Sequence, residues 1–425
     1  MKNKKTIITS LRILTIGVIF SIFMGCQQDE LLEEDSILQT EEGVSVQQEF
    51  EGKLISNDEL MKDGNTTAIQ RINKKFNTYE VYAFDFSALS DYVNSKQQSV
   101  FVLKLNSNKW EITLEPTNLI SPKYRSIIHT QNGIMEGGKA KNVYYKGFTS
   151  DGGSVRLNLD QNKLNGFIET KSGEFFIENL SNLTGKMSQN KLLVYQKADL
   201  NTKAFEDDVC GGAKSIAEDM ENYVDDMVNT KNSSIVNGVL EISTFALFDR
   251  YKNSDSNVNK TNSKILELLN LSQKNYDQFG IEFNVVEQQV STCSSCDPFS
   301  FSTSMEPSKL LNSFRLWARS GFQENHDIGL LFTHNNIKRG NIFNRRTTFG
   351  VAYINGICSS SSKYAWISQR WTKDKTREVL SHEIGHLFGS GHQKGRNIMR
   401  SSPLVIPSKD WTKKTKDYIR NNSCY

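Results

Sequence analysis

Between about residues 51 and 200 the apolar and polar positions mostly alternate, the period of strands with one buried face. Segments 99–105, 110–114, 154–159 and 173–178 read as short strands, with turn signals at Asp151-Gly152-Gly153 and Asn165-Gly166. This predicts a β-dominated unit over 51–205. After Gly238 the pattern changes. Segments 238–248, 281–290, 328–332 and 349–354 are strand-like, whereas 264–279, 309–318 and 373–388 carry apolar residues at helical spacing. Such alternation predicts an α/β unit over 238–425 with a mixed, mostly parallel sheet. The polar stretch 206–237, partly helical around Ile216, Met220, Tyr223 and Met227, predicts a linker between the two.

The N-terminus follows another pattern. Lys2, Lys4 and Lys5 precede an apolar run over 13–25 that ends at Cys26. A basic start, a short apolar core and a small residue before the cut predict a secretory signal over 1–25. Residues 26–50 are acidic and polar, with Glu33, Glu34, Asp35, Glu41 and Glu42, and predict a flexible tether. The ending Phe23-Met24-Gly25-Cys26 resembles a bacterial lipobox, which implies a lipid on Cys26 and anchoring to a bacterial outer membrane or cell surface. The other reading is an ordinary cleaved signal and an extracellular protein with a free Cys26. Both place the body outside the cytoplasm, where disulfides persist.

Composition narrows the class. In 425 residues there are 6 prolines, 27 glycines and 10% aromatics, which excludes collagen-like and wholly disordered chains. A formal net charge of +3 argues against a dedicated nucleic-acid binder. The charge is uneven, however. Residues 236–425 carry 25 Lys and Arg against 16 Asp and Glu, a net of +9, which leaves −6 for the rest. Opposite signs favour docking of one part on the other.

The strongest chemical signal is the run His382-Glu383-Ile384-Gly385-His386-Leu387-Phe388-Gly389-Ser390-Gly391-His392. Two histidines four apart lie one turn above the other on a helix face, so both imidazoles reach one ion at the zinc–nitrogen distance of ~2.0–2.1 Å. Gly389 can take the positive φ that ends the helix and turns His392 back as a third ligand. Three protein ligands leave a fourth tetrahedral position for water, the arrangement of a catalytic zinc site. Zinc lowers the pKa of such a water toward ~7, and Glu383 stands beside the first ligand to take its proton. Histidines that merely cap a helix, or hold a structural ion, would not need that carboxylate.

This motif, with Asn397-Ile398-Met399 soon after it, resembles the metzincin zinc endopeptidases. The resemblance implies one Zn²⁺ per chain on His382, His386 and His392, Glu383 as the catalytic base, and Met399 as an apolar floor under the ligands. Protein or peptide substrates are the implied partners and a monomer is expected; the residues make no statement for or against calcium. The domain over 238–425 looks most like the adamalysin (reprolysin) branch. Gly350, Val351, Ala352 and Tyr353 resemble that branch's edge strand, which pairs with an extended substrate backbone. The segment 401–407 is similar to a specificity-pocket wall, and 411–424 to the branch's C-terminal helix. The connection from His392 to Met399 is shorter and lacks the branch's extra cysteines, which leaves fragilysin-like bacterial metzincins as near alternatives.

The β-dominated part resembles an adamalysin propeptide through segments 144–148, 154–157, 164–168 and 176–178. Val209-Cys210-Gly211 is similar to a cysteine switch, in which a propeptide thiolate fills the open zinc position; Cys210 as a disulfide partner is the other reading. Six cysteines less a lipidated Cys26 leave an odd number. The resemblance pairs Cys358 with Cys424, and Cys293 and Cys296 can close a small local loop, so Cys210 is the odd thiol. His129, His326 and His334 read as surface or turn residues. A surface adhesion lipoprotein with a vestigial zinc site, and a zinc amidase of cell-wall peptides, are competing readings. The intact Glu383 opposes the first, and the edge strand the second.

Overall fold

The computed structural model describes residues 48–425 except 63–65, 185–189, 202–207, 210–234, 236, 300, 336, 340–345, 358, 370–371, 402–409 and 423–425. Residues Gln47–Tyr425 form one compact unit. Among the described residues no helix is long and apolar enough to cross a membrane.

Alternation in the first half closes a barrel. The chain runs through β1 (Gln48–Leu54), α1 (Asn57–Lys62), α2 (Thr66–Lys75), β2 (Glu80–Ala83), α3 (Phe86–Asn94), β3 (Ser99–Leu105) and β4 (Asn108–Pro116). It then leaves the barrel as a hairpin, β5 (Ile120–Thr130) and β6 (Gly133–Glu136). It returns with β7 (Tyr144–Thr149), β8 (Ser154–Asp160), β9 (Lys163–Thr170) and β10 (Gly173–Asn179), and after α4 (Ser181–Thr184) finishes with β11 (Lys191–Gln196). The closed order is β1-β2-β11-β10-β9-β8-β7-β4-β3. Closure removes the sheet edges. Inward residues such as Phe101, Leu103, Ile112, Val155, Leu157 and Ile177 fill the interior, to which α3 adds Phe86, Leu89 and Val93.

Asn165-Gly166, expected as a turn, lies inside β9 instead. Gly166 has φ +153°, and a Cβ there would stand 2.0 Å from the Arg156 carbonyl oxygen, so glycine marks a close strand approach. The Asn165 amide oxygen accepts from the Asn179 backbone N–H at 2.8 Å, so the residue ties β9 to β10.

The second half follows β12 (Asp208–Val209) with β13 (Val239–Ala246), α5 (Phe248–Lys252), α6 (Val258–Gln273), β14 (Glu282–Ser291), α7 (Pro307–Gly321) and β15 (Ile328–Thr333). Next come β16 (Ile337–Arg339), β17 (Arg346–Thr348), β18 (Gly350–Ala352), β19 (Tyr364–Ser368), α8 (Lys373–Leu387) and α9 (Lys413–Arg420). Helix α6 stops at Gln273; the expected continuation to Phe279 is a separate 3₁₀ turn at Asp277–Phe279. The main sheet has the order β18-β19-β15-β13-β14-β5-β6, parallel from β19 to β5 with an antiparallel strand at each end. Its strands are buried on both faces. Ile328, Leu330 and Phe332 face the core shared with α6 and α8, while Leu331 faces α7. The chain is thus α/β in this half, with helices covering both faces of a mostly parallel sheet.

The linker at 206–237 does not separate two sheets. Strand β5, from the first half, runs parallel to β14 with Ser126 opposite Gln288 and His129 opposite Ser291. Nor does net charge set the sense of the ion pairs across the seam. Lys123–Glu241 (2.8 Å), Lys146–Glu282 (3.0 Å), Arg156–Asp277 (2.5 Å), Lys163–Glu267 (2.9 Å) and Lys197–Glu378 all take the cation from the acidic first half. Lys274–Glu169 and Arg377–Glu174 run the other way. Coulomb pairing at contact distance is decided by local register rather than by a sum over each half.

Candidate metal centre

Helix α8 builds the site. Thr372 stands at its N-cap, Asp374 lies in its first turn, and Val379, Leu380, Ile384 and Leu387 enter the main core. The helix ends through Gly389 at φ +97°. There the Gly389 N–H donates to the His386 carbonyl at 2.8 Å, and the Ser390 N–H to the Gly385 carbonyl at 3.1 Å. This pair of bonds is a Schellman stop, which needs a left-handed residue at the position of Gly389. In the loop after β18, the Asn355 N–H adds a second bond to the His386 carbonyl at 2.9 Å, and the Ile357 N–H closes the Leu387 carbonyl at 3.1 Å.

His382, His386 and His392 converge, with their candidate ligand atoms all within 4.8 Å of one another. Ring centroids are 4.6 Å apart for His382–His386, 5.2 Å for His382–His392 and 5.0 Å for His386–His392. The His382 Nδ1–H donates to the Ile398 carbonyl at 2.6 Å, and the His386 Nδ1–H to the Ser390 carbonyl at 2.6 Å. A carbonyl only accepts, so these bonds place the proton on Nδ1 and the lone pair on Nε2. All three Nε2 atoms are buried without a hydrogen-bond partner. Burial, then the neighbouring imidazoles, push the His382 pKa far down and His386 to about 3, and burial lowers His392. The triad is thus held neutral, the form that ligates a metal. Three orphaned Nε2 atoms brought together, two of their rings oriented by outer carbonyls, fit a tetrahedral zinc with an open position.

Glu383 is fully buried beside the triad. A Cβ at Gly350 would stand 2.6 Å from Glu383 Oε1, so the missing side chain at the start of β18 is what admits the carboxylate. Tyr276 braces the same turn of α8 from below, its hydroxyl donating to the Ser381 carbonyl at 2.7 Å. Burial, then the charge of Glu383, hold the Tyr276 hydroxyl protonated. Met399 is fully buried, and a Cβ at Gly385 would lie 2.6 Å from its sulfur and 3.0 Å from the Trp411 ring. Gly385 therefore lets Met399 and Trp411 pack directly under the helix backbone.

Gly385 and Tyr276 carry no role in the sequence reading. Gly385 stands in the motif between the two ligands, so its lack of a side chain was the available signal; nothing local marks Tyr276. Strand β18, with Gly350, Val351 and Ala352, stands last in the sheet order, and Tyr353 follows it. Cys293 and Cys296 are joined in a disulfide with Cα atoms 5.0 Å apart. Cys26, Cys210, Cys358 and Cys424 lie outside the described residues. The bland reading of the other histidines needs correction. His129 is buried between Phe245 and Trp317, its Nε2 2.5 Å from Gln289 Oε1, and His326 is buried beside Phe322. Neither joins the triad.

Three buried imidazoles with an adjoining carboxylate, at the end of a helix packed on a mostly parallel sheet, make a candidate metal centre. Residues 262–393 match the family model described as metallo-peptidase family M12B, reprolysin-like. Over that stretch the chain is similar to the reprolysin-like metallopeptidases. Among solved structures it is similar to metalloproteinase-II from Bacteroides fragilis, with 14% identity and a TM-score of 0.41 over 80% of this chain and 96% of that one.

Proposed function

We propose that this protein is a zinc-dependent endopeptidase of the adamalysin-like type, exported and made as a latent precursor. The observation that carries the reading is the convergence of three partnerless Nε2 atoms beside Glu383. When bound on His382, His386 and His392, zinc supplies Lewis acidity that activates water and polarises the scissile carbonyl. The Glu383 carboxylate takes the proton from the attacking water and delivers it to the leaving amine. Strand β18 pairs with the extended substrate through main-chain hydrogen bonds, and Gly350 keeps that strand close to Glu383. Glu383→Gln should lower kcat/KM on a denatured protein such as casein by about 10²–10⁴-fold while zinc content is unchanged. A variant as active as its parent, or hydrolysis that survives a chelator, rules the mechanism out.

Latency is assigned to Cys210 and lipidation to Cys26. Supporting the first, β12 (Asp208–Val209), which ends one residue before Cys210, runs parallel to β17, and β17 leads through Phe349 into β18. The chain before Cys210 is thereby tethered next to the strand that borders Glu383. Cys210→Ala should yield a precursor that cleaves casein without prior processing. A variant as silent as the parent precursor would remove the thiol from the account.

A further inference from the structure

A second concave site lies at the opposite end of α8 from the histidines. It is a cavity of about 180 Å³ between α5, α6, the N-terminus of α8 and the barrel, several times the ~30 Å³ that one water occupies in the liquid. Arg250, Lys264, Lys373 and Lys75 line it, together with Thr372 and Glu178. Arg250 is 4% exposed, and its Nε is buried with no hydrogen-bond partner. Among the described residues no carboxylate lies within ion-pair distance of its guanidinium.

The nearby acids Asp249 and Glu267 attract Arg250 only across a distance. Asp249 Oδ2 accepts from Thr333 Oγ1 at 2.5 Å and from the backbone N–H groups of His334 and Asn335 at 2.9 and 2.8 Å, while Oδ1 is buried without a hydrogen-bond partner. Glu267 is held by Lys163 and Lys373, both at 2.9 Å. Glu178 accepts from the Tyr195 hydroxyl at 2.9 Å. A buried cation without a direct ion pair is costly, and here a second one stands beside it. Burial, then repulsion from Arg250, pull the Lys264 ammonium down to about 8. The helix end adds to the positive field. Thr372 gives no side-chain cap to α8, its hydroxyl is buried without a partner, and the first-turn amides of any helix lack internal acceptors.

We propose that this cavity binds a small tetrahedral oxyanion of the phosphate or sulfate type. The unpaired Arg250 guanidinium is its anchor, Lys264 a second cation, and the N-terminus of α8 its dipolar floor. Because Lys75 comes from α2 of the barrel half, the anion ties the barrel to the helix that carries the metal ligands. The site is independent of the peptidase reading, and its test uses no activity.

The full-length chain is heated in phosphate, sulfate, acetate or chloride at constant ionic strength, with and without a chelator, and phosphate binding is followed in parallel by calorimetry. Phosphate and sulfate should raise the Tm saturably, by about 2–6 °C at high occupancy, equally with and without chelator. Arg250→Met, which keeps the stem and removes the charge, should weaken phosphate at least tenfold and leave the Tm in chloride equal or higher. Lys264→Gln, at a half-buried position, should weaken it several-fold and carries the test if the first variant does not fold. The proposal is overturned by an absence of saturable heat or shift in the parent, or by a response confined to the zinc-loaded chain. An equal response to acetate, or variants that bind phosphate like the parent, overturn it too.

Discussion

The ion-paired side chains on the first turns of α8 and the histidines at its far end are equally buried and satisfied in opposite ways. At the N-terminal end Asp374, Lys375, Arg377 and Glu378 are each no more than 3% exposed, yet charge meets charge within the chain. Arg377 bonds Glu174 of β10 at 2.8 Å and lies over the Phe167 and Phe176 rings, and Lys197, after β11, pairs with Glu378. At the C-terminal end the three Nε2 atoms have nothing to bond. Burial alone therefore does not mark a functional site. The informative difference is whether the buried polar groups find their complement inside the protein or leave it to be supplied from outside.

The largest expected difference between the two ends is in the cost of removing one partner. Glu174→Ala leaves Arg377 buried without its main counter-charge and should cost about 3–5 kcal/mol, read as a lower urea midpoint. Replacing Glu174 and Arg377 together by Met should recover most of that loss; if it does not, packing rather than pairing holds this end. His386→Ala should behave differently. The metal-free chain should lose the Nδ1–H bond to the Ser390 carbonyl and some packing, about 1–3 kcal/mol, but no counter-charge. Zinc at 100–1,000 times its Kd should stabilise the parent by about 2.7–4.1 kcal/mol and leave the variant unmoved, measured by thermal scanning during a zinc titration. Equal stabilisation of both would detach His386 from the metal. The smallest effect is expected at Gly385→Ala. Its new Cβ would meet the Met399 sulfur at 2.6 Å, an overpacking cost of about 1–3 kcal/mol that exceeds the ~1 kcal/mol a helix gains from Ala over Gly. An unchanged Tm would show that Met399 can move aside.

Much of the site was legible because its geometry is local. The i, i+4 spacing of His382 and His386 and the stop at Gly389 follow from one helix and one turn, whereas Met399 was marked only by the resemblance. The strands at 99–105 and 154–159 were legible through alternation alone. Asn165-Gly166 misled, since a glycine demanded by a close strand approach looks in sequence like a glycine demanded by a turn. His129 and His326 misled as well, because nothing adjacent in sequence announces Gln289 or Phe322 as neighbours.

By itself, then, the chain dictates which residues can share a helix face, where that helix must end, and which side chains can hold a cation there. Those relations span one or two turns and obey fixed backbone periods. The pairing of β5 with β14, the room that Gly350 leaves for Glu383, and the meeting of Arg250 with Lys75 join segments more than 30 and up to about 175 residues apart. Such contacts depend on register and packing among elements whose relative placement no local period encodes, so only the folded whole decides them.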